Sequence, residues 1–363
     1  MIAVYEIVGL AWGAFLVAYL TIPCIIKWAL NEGKLAQTNH RSSHKVPTPA
    51  LGGVGVFAGF LMVIPWLNFN LEIWAILIGL FILFITGWVD DMIEIRAKSK
   101  LAVQIVCALL IYFSGLQIDQ LHGIFGIHEI SQWTSFALTV LFIVGVTNAF
   151  NLIDGINGLA GSMAVINGCL FGLIFYSNGQ WSYALLAFTM SASVLGFLPH
   201  NFPKAKIFMG DTGSLFLGLL MSVFVIKAFQ TNAYNELSIS LALVPMFIPI
   251  FDTIRLCVTR LLERKSPMEA DQNHLHHLVV NVTTNHTRAT LLITLFHLLL
   301  IAFVVVVSFY GGDLLIHNVL LILLGGVVLF MSLFVGIKLN KKTRQLRAHL
   351  RLLAANNRLL EKL

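Results

Sequence analysis

Apolar runs of about twenty residues, the length that carries a helix across a hydrocarbon core, recur along this chain, and most of the charged residues fall in the gaps between them. The runs fall near residues 7–27, 51–67, 72–89, 101–118, 133–150, 158–176, 181–198, 212–229, 237–256, 288–309 and 315–337, which predicts an all-α integral membrane protein with eleven spans. No soluble domain, low-complexity tract or internal repeat interrupts the series. Residues 1–337 therefore read as one polytopic transmembrane domain with a long loop at 257–287. Residues 338–363 form a basic tail whose Leu339, Leu346, Leu350, Leu353 and Leu360 recur at helical spacing, the pattern of an amphipathic helix lying on an anionic leaflet.

Composition agrees with this reading, since 58% hydrophobic and 11% charged residues cannot supply the polar surface of a soluble protein of 363 residues. The distribution of Lys and Arg then sets the orientation. With the N-terminus outside, 22 of the 23 basic residues fall in the inner gaps and the tail, and only Lys227 is left for the other side. The net charge of +6 is thus a topogenic signal and calls for no nucleic-acid partner. The first run lacks a basic leader and ends at Lys27, so it reads as an uncleaved span. Cys24, Cys107, Cys169 and Cys257 are scattered without metal-ligand spacing and read as packing residues.

Against this apolar background the acids stand out. Asp90-Asp91, Asp154 and Asp211 each lie at a span end, the last two beside glycine, and alternation of the spans puts all of them on the inner face. Acids are costly near lipid and usually face a cavity, an ion or a substrate. Asp90-Asp91 is followed by Lys98, Lys100 and Gln104, so carboxylates suited to Mg²⁺ or a proton stand near ammonium groups suited to phosphate. In N-A-F-N-L-I-D-G-I-N-G-L-A-G (148–161), Asn148, Asn151 and Asp154 share a helix face and offer hard oxygen ligands. In F-M-G-D-T-G-S (208–214), Asp211 stands between glycines at a helix start, a place for a metal ligand or a phosphate, with Phe208 available to stack on a base. Each of these residues, taken singly, also has the bland reading of a helix cap. The fourth motif, D-Q-N-H-L-H-H, carries His274, His276 and His277 without a Cys or the H-E-x-x-H pattern of a zinc site, which favours phosphate or sugar binding.

These four motifs, in this order and on this topology, resemble the polyprenyl-phosphate N-acetylhexosamine-1-phosphate transferases. Within that family the H-x-H-H form and the basic run Arg260 to Lys265 followed by Ser266-Pro267 resemble the undecaprenyl-phosphate N-acetylglucosaminyl-1-phosphate transferases, whereas the pentapeptide-transferring peptidoglycan branch carries three consecutive histidines. The resemblance implies a bacterial plasma (inner) membrane enzyme with its active site facing the cytoplasm. It would transfer GlcNAc-1-phosphate from UDP-GlcNAc to undecaprenyl phosphate and release UMP, as the first membrane step of a cell-surface glycan pathway. Mg²⁺, or Mn²⁺ in its place, is the implied cofactor; membrane lipids and a second copy of the chain are the further partners it allows.

Carried over by motif, Asp90, Asp91 and Asp154 take the catalytic roles, and Asp211, Asn151, Asp154 and Asp91 the metal site. Lys98, Lys100, Asn148, Asn151, Asn157, Phe208, Arg260, His274, His276 and His277 take substrate, with Phe208 against uracil and Arg260 and the histidines on phosphates and amino sugar. Asn157 departs from the pattern, since many relatives carry Asp there, and an amide can orient a ligand but supplies no charge. Two alternatives stay open: the same chemistry on another UDP-N-acetylhexosamine or on UDP-MurNAc-pentapeptide, and a proton- or ion-coupled transporter. Transporters commonly place their sites near the midplane and show repeated halves, and this chain shows neither.

Overall fold

A computed structural model describes residues 3–35, 47–124, 126–231, 238–262, 264, 274–310 and 325. The last expected span, 315–337, and the amphipathic tail, 338–363, lie outside the described residues apart from 325. Eight helices among the described residues are long and apolar enough to cross a membrane. They are α1 (Val4–Asn31), α3 (Leu71–Ile93), α5 (Gln132–Ile153), α6 (Leu159–Ser177), α7 (Trp181–Asn201), α8 (Gly210–Thr231), the run formed by α9 (Ser238–Leu243) and α10 (Phe247–Leu262), and α12 (His286–Tyr310). Two more expected runs are shorter helices: α2 (Gly52–Phe60), which tightens into a 3-10 turn at Leu61–Trp66 around Pro65, and α4 (Ala97–Phe113).

The chain is a multi-pass helical membrane protein with two departures from the sequence reading. The gap at 119–132 is a small antiparallel hairpin of β1 (Gln120–Ile124) and β2 (Ile127–Glu129), so the fold is not wholly α. The stretch expected as loop at 257–287 is largely helical where described, because α10 continues through Leu262 and α11 covers Leu275–Thr283.

Helix α8 is the central element. Its membrane-length segment is 94% buried, against 22% for α1, and α2, α3, α5 and α6 pack around it. A helix enclosed on every side has no solvent or lipid face to mark, which is why its sequence is apolar all round. Some hydroxyls inside the bundle return to their own helices: Thr147 Oγ1 donates to Ile143 O at 2.7 Å and Ser222 Oγ to Leu219 O at 2.7 Å. Such internal satisfaction is required where no water is available.

Lys227, the one basic residue assigned to the outer side, proves to be structural. Its Nζ meets Glu72 Oε2 at 2.8 Å and lies 4.8 Å from the centroid of the Tyr183 ring, while the Tyr183 hydroxyl donates to the same carboxylate oxygen at 2.6 Å. The group ties α3, α7 and α8 together at the end of the bundle opposite the acids.

Candidate active site

The site is built where α3 ends and α8 begins. After Ile93 the chain turns through Glu94, whose φ is 53°, and the Ile95 N–H donates to Asp90 Oδ1 at 2.7 Å. That tight turn returns α4 antiparallel to α3, so that Lys100 Nζ reaches Asp90 Oδ2 at 3.0 Å and Asp211 Oδ2 at 2.8 Å. Asp211 Oδ1 accepts from Asn151 Nδ2 at 3.0 Å, and the same amide donates to Ser214 Oγ at 2.7 Å. Residues from α4 and α5 thus converge on one carboxylate at the start of α8.

Asp91 has a different job from its neighbour. Its Oδ1 accepts the Asp211 N–H at 2.9 Å, and its Oδ2 accepts the Thr212 N–H at 3.0 Å and the Thr212 hydroxyl at 2.5 Å. It caps the N-terminus of α8 from another helix, satisfying N–H groups that a helix start leaves open. Gly210, with φ 74°, makes the bend that permits this, and a methyl group there would collide with the Ala50 carbonyl and the Asp91 carboxylate. A short ladder holds the same corner: Phe208 N to Pro49 O, Gly52 N to Phe208 O and Gly53 N to Met209 O, each 2.8 Å.

A pocket of about 390 Å³ opens beside these groups, lined by Asp91, Asn151, Asp154, Asn157, Phe208, Asp211, Ser214 and His277 among others. Asp154 follows the last residue of α5 and is half-buried. Burial, then the negative charges of Asp211 and Asp91, hold its carboxyl well above the usual range. So many acids around one cavity are electrostatically costly until a cation joins them. One oxygen each from Asp90, Asp91 and Asp211 lies within 4.8 Å of the others, a hard oxygen set that fits Mg²⁺.

The other sequence candidates fall around this centre. Asn148, one turn before Asn151, exchanges amide bonds with Gln104 at 2.6 and 3.2 Å, holding α4 to α5 rather than lining the pocket. Lys98 is exposed. Asn157 lines the pocket, and its Nδ2 donates to Pro203 O at 3.2 Å, which fixes the amide orientation. Of the histidines, His277 reaches the pocket wall. His274 and His276 are buried beside it, and Arg260, on α10, is also buried. Burial, reinforced by the nearby His277 and His274, pushes His276 well below the usual imidazole value, so its ring is neutral.

Several residues that build the site are absent from the sequence reading. Asn201 Oδ1 accepts the Gly158 N–H at 2.6 Å while its Nδ2 donates to Ile207 O at 2.8 Å, clamping the glycine-rich loop to the segment before Asp211. Asp252 and Arg255 on α10 form a buried ion pair at 2.7 Å beside His274. An acid and an arginine three apart inside an apolar run are a legible signal of such a pair.

Comparison with known proteins places this geometry. The family model described as glycosyl transferase family 4 matches residues 73–229, which include Asp90, Asp91, Asn151, Asp154 and Asp211. A Bacillus subtilis protein named probable undecaprenyl-phosphate N-acetylglucosaminyl 1-phosphate transferase is 33% identical over 293 residues, covering 78% of this chain and 80% of that protein. The decaprenyl-phosphate N-acetylglucosaminephosphotransferase of Mycolicibacterium smegmatis is 30% identical over 321 residues, with 80% and 79% covered. The undecaprenyl-phosphate alpha-N-acetylglucosaminyl 1-phosphate transferase of Yersinia pestis is 30% identical over 276 residues, with 74% and 75% covered.

Proposed function

The chain belongs to the polyprenyl-phosphate N-acetylhexosamine-1-phosphate transferases of glycosyl transferase family 4 and is a phosphoglycosyl transferase, and from that premise we propose that it moves GlcNAc-1-phosphate from UDP-GlcNAc to undecaprenyl phosphate. The observation that carries this reading is the convergence of Asp90, Asp91 and Asp211, with Lys100 bridging Asp90 and Asp211, at the edge of a pocket lined also by Asn151, Asp154, Phe208 and His277. In the reaction, an oxygen of the lipid phosphate bonds to the phosphorus that carries the sugar, and the bond from that phosphorus to the UMP oxygen breaks. Two anions must approach, so the residues around them have to offset repulsion and take up charge on the departing UMP.

Asp211, Asp90, Asp91, Asn151 and Asp154 would hold Mg²⁺, which supplies charge neutralisation at the diphosphate when bound. The side chains divide the remaining work. Lys100 screens Asp90 from Asp211 and presents an ammonium to incoming phosphate oxygens. Asp90 orients the lipid phosphate, whose second pKa near roughly 6 leaves it largely dianionic at neutral pH and in little need of a base. Phe208 offers a ring face to uracil, His277 donates to phosphate or sugar oxygens, and Asn157 orients the donor without adding charge.

The test is incubation of the purified protein with Mg²⁺, undecaprenyl phosphate and a panel of UDP-sugars, scoring UMP and the lipid product. Turnover is expected with UDP-GlcNAc and not with UDP-MurNAc-pentapeptide, because a peptide can be excluded sterically. Efficient use of the pentapeptide donor would overturn the assignment within the family, and inertness toward every UDP-sugar would overturn the reaction itself.

The same reading places the site on the cytoplasmic face of the bacterial inner membrane, since nucleotide sugars are cytoplasmic and the Lys/Arg asymmetry puts the N-terminus outside. Asn285, between α11 and α12, should then be on the inside. In a cysteine-free background, Asn285→Cys should resist a membrane-impermeant thiol reagent applied from outside and react after permeabilisation. Labelling in intact cells would reverse the orientation.

A further inference from the structure

We propose that Asp252 is a positioning residue for the transfer, setting the pocket wall that His277 forms by anchoring the first turn of α11; this rests on the reading of the pocket as the donor site. Asp252 lies in α10 and is 6% exposed. A carboxylate buried this deeply is costly unless its oxygens are fully engaged. Arg255, one turn on, provides part of that engagement, with Nη2 at 2.7 Å and Nε at 3.3 Å from Oδ1.

An ion pair within one helix would end there. Instead the carboxylate also spans to α11: Oδ1 accepts the Leu275 N–H at 3.0 Å and Oδ2 faces His274 Nδ1 at 3.1 Å. Leu275 is the first residue of α11, and His274, in the N-cap position, gives no side-chain cap of its own. Asp252 therefore supplies from α10 the acceptor that this helix start lacks. Because a carboxylate accepts, His274 carries a proton on Nδ1, which fixes its tautomer and ring plane.

From that anchored turn the contacts run directly to the pocket. The rings of His274 and His276 stack at 5.5 Å, and those of His276 and His277 lie 4.2 Å apart. His276 is 2% exposed and packs against Gly155, beside Asp154, where any added side chain would strike the imidazole. His277 then lines the pocket with Asp154 and Asn157. Asp252 itself lies outside the pocket lining and acts through α11.

The experiment uses the full-length protein in detergent or nanodiscs and compares Asp252→Asn with the unmodified chain. The expected result is a fall of about 10- to 100-fold in kcat/KM for UDP-GlcNAc, the range seen when the partner that orients a metal-ligating histidine is lost, with KM for undecaprenyl phosphate changed less than about twofold. The effect should vanish in a His277→Ala background, since residues acting through one another are not additive. Hydrogen exchange across residues 275–283 should accelerate while α8 stays protected. If the buried Arg255 charge prevents Asp252→Asn from folding, Asp252→Asn with Arg255→Gln removes both charges together and takes its place.

Unchanged exchange in α11 overturns the proposal whatever the activity, because the anchor is then not there. Full additivity with His277→Ala, or parallel loss toward both substrates with a lowered melting midpoint, also overturns it and leaves Asp252 a residue of the fold alone. Absence of turnover by the unmodified protein would instead strike the donor-site reading, and the exchange measurement would still judge Asp252.

Discussion

Replacing Asp211 by asparagine is expected to abolish turnover while the bundle still folds. Asp211 accepts from Lys100 on one oxygen, at 2.8 Å, and from Asn151 on the other, at 3.0 Å. An asparagine of the same shape has only one acceptor, so its amide nitrogen must face one of those two donors. The substitution also removes one charge from the three carboxylates that fit a divalent cation. Loss of one ligand charge of this kind costs roughly a thousandfold or more in kcat, about 4 kcal/mol of transition-state stabilisation. Lys100 keeps Asp90 as a partner at 3.0 Å, so the melting midpoint should move little. Turnover close to that of the unmodified protein at ordinary Mg²⁺ concentrations would remove Asp211 from the essential set.

The second large effect is expected at a residue without chemistry. Gly87 lies on α3 one turn before the acidic pair, and its Cα faces the backbone at Asp211 and Thr212. A methyl group there would overlap the Asp211 carbonyl, so α3 and α8 must separate to admit Gly87→Ala. Overpacking of this sort destabilises by about 1–3 kcal/mol. The larger consequence is for geometry, because a shift of about 1 Å between reacting groups costs on the order of a hundredfold in rate. Gly145→Ala in α5 is the control, since nothing lies within 4 Å of its added methyl, and it should leave kcat unchanged. Equal activities of the two variants would show that the α3–α8 approach does not set the site.

The acids themselves were legible from the sequence because they violate the rule that makes the rest of the chain legible. Lipid tolerates no unpaired carboxylate, so Asp90, Asp91, Asp154 and Asp211 stand out at span ends. The division of labour among them was not legible. Asp90 and Asp91 are adjacent in sequence, yet Asp90 joins Lys100 while Asp91 caps α8 with both oxygens. Adjacent helical residues point about 100° apart, and what each meets depends on which helix packs on that side. Asn148 and Asn151 divide in the same way, the first to Gln104 and the second to Asp211.

The sequence by itself thus determined the membrane class, the approximate positions of the membrane-length helices that the structure describes and the end of the bundle at which the acids gather. These follow from free energies of transfer to hydrocarbon, which depend on each segment's own composition and length. Tertiary structure alone decided that α8 lies at the centre, that Asp91 serves as its cap, that α10 extends through Arg260 and that Asp252 anchors α11. Those outcomes depend on side chains meeting across more than a hundred residues in the case of Asp91 and Thr212, whose separation is 121. No local pattern encodes such a partner, because the energy of the contact exists only once the helices have packed.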